Sequence, residues 1–140
     1  MDNLGLKDLN QSGADYGYII VKATTAGGAL PVEQAVVTVR DLEDRIISVI
    51  FTDGSGLTQR LKVLAPPKVN SQSPGTTLPP FYAYNIDTDK EGFISVRNVD
   101  VPVYPGITSI QTVELIPLSE GNEGNKNGDI IYNEGFPPNL

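Results

Sequence analysis

Ile46-Ile47-Ser48-Val49-Ile50-Phe51, then Thr52-Asp53-Gly54-Ser55-Gly56, then Leu57 through Leu64 is the stretch from which the fold is read. A β-branched run, a glycine-rich turn and a second run follow each other without a break. In Leu57 to Leu64 the residues Leu57, Leu61 and Val63 share one parity and Thr58, Arg60 and Lys62 the other. A strand with one face on a core and one in water is expected there. Asp-Gly hairpin turns demand positive φ, which predicts left-handed backbone at Gly54 and Gly56. Upstream, Val36 to Arg40 reaches Ile46 through Asp41-Leu42-Glu43-Asp44, a connection of hairpin length, and Tyr16 to Ala23 is a further run closed by Gly27-Gly28. Downstream, Ala65 to Pro80 has no period and carries Pro66-Pro67, Ser73-Pro74-Gly75 and Pro79-Pro80, an irregular connection. Tyr82, Tyr84 and Ile86 then alternate with Ala83, Asn85 and Asp87, which predicts both tyrosines on the core face. Phe93 to Val103 and Ile107 to Leu118 complete the series. The expectation is an all-β, seven-stranded antiparallel sandwich over residues 16–118, with extended arms at 1–15 and 119–140.

Composition agrees with that reading and removes whole classes of chemistry. The 140 residues suit one domain, and 14 glycines with 11 prolines suit short strands and turns rather than long helices. There is no histidine and no cysteine. Thiol nucleophiles, histidine bases, Ser-His-Asp triads and zinc sites with nitrogen or sulfur ligands are therefore excluded. The net charge of −7 argues against nucleic acid or an anionic membrane surface as partner, because both need a positive field. Acidity is gathered toward the ends, with Asp2, Asp8 and Asp15 in the first segment and Glu120, Glu123, Asp129 and Glu134 in the last. Met1-Asp2-Asn3-Leu4-Gly5 has neither the basic nor the apolar region of a secretion signal, and no apolar run approaches the ~20 residues of a membrane span. A chain without a signal peptide or transmembrane segment is expected.

Four local motifs bear on chemistry. Glu123 to Glu134 places oxygen side chains at loop positions 1, 3, 5 and 12 with Gly128 at position 6, as a calcium loop does. Glu123 is too long for the first position, and Pro117 and Pro137-Pro138 deny the flanking helices, so no metal site is assigned. Asp87 to Asn98 begins in the same way but lacks the carboxylate at its twelfth position and reads as a turn. Lys22 suits a lysine cross-linked to a last-strand Asn or Asp, yet Ile110 to Leu118 offers only Glu114. An ordinary surface lysine is expected. Among the six tyrosines, Tyr16, Tyr104 and Tyr132 are the freer candidates for stacking on sugar rings, although the chain has no tryptophan. No catalytic residue and no cofactor-binding residue is assigned.

Several of these segments together resemble a known family. Gly17-Tyr18-Ile19-Ile20-Val21, Leu30-Pro31-Val32-Glu33-Gln34-Ala35-Val36-Val37-Thr38-Val39, Thr52-Asp53-Gly54-Ser55-Gly56 and Lys90-Glu91-Gly92-Phe93 are similar to the carboxypeptidase regulatory-like family. That resemblance implies a seven-stranded transthyretin-like sandwich without catalytic residues of its own. Leu64-Ala65-Pro66-Pro67, Tyr82-Ala83-Tyr84-Asn85-Ile86 and Gly106-Ile107-Thr108-Ser109-Ile110-Gln111 further resemble the small N-terminal domain of clostridial spore cortex-lytic and related peptidoglycan-binding proteins. A spore or envelope setting is what this second resemblance implies.

The arms carry the functional expectation. Leu4, Leu6 and Leu9 precede the sandwich, and Ile130, Ile131, Tyr132, Phe136 and Leu140 follow it. Apolar anchors on extended segments suit docking on a neighbour's sheet edge, where main-chain hydrogen bonds supply affinity. A non-catalytic homo-oligomeric subunit that self-associates through its arms is expected, and a head-to-tail contact that does not close would build a filament. The rival expectation is a monomeric accessory module that binds peptidoglycan or a cell-wall-processing protein.

Overall fold

The computed structural model describes residues 15–67, 80–118 and 130–134. Nine strands run through them: β1 (Asp15–Thr25), β2 (Leu30–Pro31), β3 (Val36–Arg40), β4 (Ile46–Phe51), β5 (Leu61–Ala65), β6 (Tyr82–Asp89), β7 (Val96–Val103), β8 (Thr108–Glu114) and β9 (Ile130–Asn133). They form two sheets. In the first, β1 is flanked on one side by β5 and the two-residue β2 and on the other by β8; the second has the order β4-β3-β6-β7-β9. Ile19, Val21, Val37, Val39, Ile86 and Val103 are fully buried or nearly so between them. These are the alternate residues of strands with period two, and burying them on two facing sheets supplies the main drive for folding.

The all-β sandwich is thus present, and three features of it depart from the sequence reading. First, the pairing is not wholly antiparallel. β8 runs parallel to β1, from Tyr18 opposite Thr108 to Thr24 opposite Glu114, and β9 runs parallel to β7. An alternating pattern marks which face is buried and is blind to strand direction, which is set by how the connections cross the sandwich. Second, the turn at Asp53 is no hairpin. It carries the chain from β4 in one sheet to β5 in the other, so the strand begins at Leu61 rather than Leu57. Third, β9 lies within the segment read as an arm, and the five-stranded sheet extends to Asn133.

The crossover replaces ladder hydrogen bonds with side chains. Thr52 Oγ1 accepts the Ala35 N–H at 2.9 Å and donates to Val32 O at 2.7 Å. Thr58 Oγ1 accepts the Val21 N–H at 3.0 Å, while its own N–H donates to Val21 O. Thr58 is therefore buried, not on the wet face that its parity predicts, because it fills the place beside β1 before β5 arrives. Between the two threonines, Asp53 Oδ1 accepts the N–H groups of Ser55 and Leu57. Only Gly56 of the two turn glycines has positive φ, at 80°, and a Cβ there would stand 2.5 Å from Ala23 O. Gly54 is in ordinary backbone with open space around its Cα.

Candidate interaction surfaces

Of the arm residues, Leu4, Leu6, Leu9, Phe136 and Leu140 lie outside the described residues. Ile130, Ile131 and Tyr132 fall in β9, which adds to the edge of the chain's own sheet. The Ile130 N–H donates to Ser95 O at 3.0 Å and the Glu134 N–H to Val99 O at 2.7 Å, closing the strand at both ends. Asn98, buried on β7, donates from Nδ2 to Glu134 Oε2 at 2.8 Å. Ile130 packs against the core, whereas Ile131 is 63% exposed and Tyr132 is also turned to solvent. The segment thus adds by main chain to a sheet edge of its own chain, where the sequence reading has it adding to a neighbour's.

The opposite edge of the same sheet is β4, and there the apolar surface is larger. Ile46, Ile47, Val49 and Phe51 are 44–56% exposed, and only Ile50 of the strand is buried. The irregularity at Val39/Arg40 sets Ile46 opposite Arg40 and Ser48 opposite Val39, leaving Ile47 as an extra residue. A bulge of this kind turns two neighbouring side chains away from strict alternation. Ile47 consequently lines a groove of about 540 Å³ at the open end of the sandwich, together with Leu42, Leu64, Phe81, Tyr82 and Tyr84.

Tyr84 is the buried member of that groove. Its hydroxyl donates to Leu64 O at 2.6 Å, and burial pushes its pKa up to about 12. Tyr82 shares its parity but is exposed at the start of β6, so the expectation of two core tyrosines holds for Tyr84 alone. Phe81 meets Tyr104 edge-on with ring centres 5.5 Å apart. Tyr16 and Tyr18 are covered by cations from β5 and the segment before it, with Lys62 Nζ 4.3 Å from the Tyr16 ring centre and Arg60 Cζ 4.1 Å from that of Tyr18. Of the tyrosines proposed for stacking, Tyr132 alone is both exposed and without a ring contact of these kinds among the described residues.

Charged groups on the sheet's outer face pair with each other. Asp87 on β6 accepts from Arg97 Nε at 2.6 Å and Nη2 at 2.9 Å, and from Arg40 Nε at 3.2 Å. Sequence reasoning missed this cluster, although its signal was present: Arg40, Asp87 and Arg97 all have the outward parity of their strands. In the β3–β4 turn the Arg45 N–H is the main influence holding the Asp41 carboxyl below its usual range, helped by the Arg45 guanidinium at 2.8 Å. Lys22 is exposed opposite Thr112, and Glu114 accepts the Gly27 N–H at 2.6 Å. Glu123 and the rest of that loop to Asp129 lie outside the described residues. Among the described residues no group of three or more acidic side chains is placed to hold a metal ion, and no helix is long and apolar enough to cross a membrane.

No protein-family profile matches the chain, and no curated protein matches it in sequence. Solved structures do resemble it in fold. The Bacillus anthracis TIE protein aligns with a TM-score of 0.50 at 14% identity, over 74% of this chain and 17% of that one. GBS52, the minor pilin of Streptococcus agalactiae, gives 0.45 at 11% identity over 75% of this chain and 46% of its own. A putative carbohydrate binding protein from Bacteroides uniformis gives 0.43 at 10% identity, over 71% and 41%. The chain thus spans less than half of each, and the first likeness agrees with the two-sheet sandwich described above.

Proposed function

We infer that this protein is a non-catalytic structural subunit that self-associates through its terminal segments, building a filament on a bacterial spore or cell envelope. The observation that carries the reading is β9: a short apolar segment near the C-terminus pairs by main chain with a sheet edge and leaves Ile131 and Tyr132 outward for further contact. A segment able to add to its own sheet has the chemistry to add to a neighbour's. The spore or envelope setting rests on the resemblance to the N-terminal domains of cortex-lytic and related peptidoglycan-binding proteins.

Light scattering and electron microscopy of the full chain across a concentration series test the reading. Assembly is expected, and it should be lost on deleting residues 1–14 together with 135–140 and replacing the outward Ile131 and Tyr132 with serine, while the circular dichroism of the sandwich persists. A wider deletion is unsuitable, since Asp15 opens β1 and Ile130 packs on the core. A monomeric wild type, or deleted protein that still forms the same particles, overturns the assignment. The groove rimmed by Phe81 and Tyr82 favours a second reading, a monomeric module binding peptidoglycan or a wall-processing protein. Saturable binding to purified cell wall, lost in Tyr82→Ala, would select it.

A further inference from the structure

β4 ends the five-stranded sheet, and among the described residues it pairs only with β3. Thr52 donates its N–H to Ala35 O, so alternate residues Ile50 and Ser48 also aim their main-chain groups at β3. Val49 and Phe51 consequently aim their N–H and C=O groups away from the sheet. The strand Ile46–Phe51 has no charge, no proline and no glycine, and its bulge at Ile47 lies toward one end, so Ser48 to Phe51 is a regular and unguarded edge. Its exposed side chains continue into Leu42 and the groove residues Leu64, Phe81 and Tyr82, all exposed. Ile47 thus joins the strand to the groove, while Val49 and Phe51 are exposed on the outward parity of the sheet.

We propose that β4 is a homodimer interface: β4 of a second copy pairs with it antiparallel about a two-fold axis at Val49, giving a ten-stranded sheet. The occupant is another copy for two reasons. An edge strand paired antiparallel about a two-fold axis meets an identical edge, so the bare main-chain groups at Val49 find their complements with no other sequence required. The strand is uncharged along its whole length, so the symmetry sets no like charges opposite each other within it. Just past the strand's ends the same register sets Arg45 of one copy toward Asp53 of the other, so the flanking charges are complementary. This interface uses no residue of either arm and is separate from the arm-mediated assembly inferred above.

The decisive measurement is cross-linking of the full chain. It contains no cysteine, so Val49→Cys introduces a single thiol on the proposed axis. Residues facing each other as a hydrogen-bonded antiparallel pair stand ~5.5 Å apart between Cα atoms, within disulfide reach. Val49→Cys is expected to form a covalent dimer under mild oxidation at least about tenfold faster than Ile110→Cys, a more exposed position on β8 of the other sheet that belongs to neither interface. Equal rates overturn the proposal. Sedimentation supplies the second arm: Val49→Pro removes an N–H that the chain's own ladder does not use, and Val49→Lys puts a charge on the axis. Each should weaken the dimer at least about tenfold with an unchanged circular dichroism spectrum. If Val49→Pro fails to fold, Val49→Lys and the cysteine rates decide. Dimers that survive Val49→Lys but vanish on removal of residues 1–14 and 135–140 refute the β4 interface and leave the arm reading standing. The reverse result refutes the arms alone.

Discussion

Two neighbouring stretches of the chain reverse the ordinary distribution of polar and apolar residues. Ile46–Phe51 is apolar but for Ser48 and is largely exposed, whereas Thr52 to Thr58, built from threonine, serine, aspartate and glycine with a single leucine, is pinned at both ends by buried threonines. The reversal follows from where hydrogen-bond partners are needed. The crossover leaves one sheet and joins the other, so its main chain cannot be satisfied by ladders, and Thr52, Asp53 and Thr58 take over that role. The edge strand has its ladder on one side only, and among the described residues its apolar side chains other than Ile50 are left half exposed. Hydrophobicity alone thus misjudges both stretches. The accounting of main-chain partners explains them.

The largest expected effect lies in the crossover. Gly56→Val forces a β-branched residue into positive φ and against Ala23 O, and should cost on the order of 3 kcal/mol in denaturant unfolding, while Gly54→Val should stay within about 0.5 kcal/mol of wild type. Equal losses at the two glycines would remove the distinction drawn between them. Next come the threonines. Thr52→Val and Thr58→Val keep the shape but leave the Ala35 and Val21 N–H groups unsatisfied, at about 1–3 kcal/mol each. On the other side of the comparison, Val49→Thr, a replacement of the same shape at a half-exposed position, should change the stability of the isolated subunit by no more than about 0.5 kcal/mol. A loss comparable with that at Thr52 would mean that β4 is covered within its own chain.

The smallest effects are in pH dependence. With its pKa raised to about 12, Tyr84 favours the folded state while it is neutral; that contribution is complete below the ordinary tyrosine range near ~10 and is lost as pH rises from there toward about 12. Ultraviolet titration should show one of the six tyrosines ionising late, and the late step should vanish in Tyr84→Phe. The lowered Asp41 works at the other end: its contribution is present above the ordinary aspartate range near ~3.9 and is lost as pH falls through the depressed folded value. Asp41→Asn should flatten the acid limb of the stability curve only slightly, since the turn is exposed and solvent screens the interaction.

The strand runs of the sequence were legible because a period of two survives wherever one face is buried: Val36–Arg40, Ile46–Phe51 and the run at Tyr82–Ile86 all appear as strands at or near the expected places. Residues Tyr16–Ala23 lie within β1 for the same reason. The candidate surfaces were less legible. Ile130–Tyr132 could be recognised as apolar and extended, but nothing local says whose sheet edge receives it, since main-chain pairing is available to any exposed edge. The exposure of β4 was hidden altogether, because Ile46–Phe51 carries the composition of a buried strand and only its position at the end of the sheet order leaves it bare.

By itself, then, the sequence determined the all-β class, the alternation that builds the core, and the absence of histidine and cysteine chemistry, all of which are local or compositional properties. The tertiary structure alone decided the parallel placement of β8 against β1, the conversion of the Asp53 turn from a hairpin into a crossover, the burial of Thr58, and the contrast between an edge extended by β9 and an apolar edge at β4. Each of those depends on which strands become neighbours. That is a matter of main-chain hydrogen bonding between segments distant in sequence, and a pattern of side chains with period two is the same whichever neighbour the strand acquires.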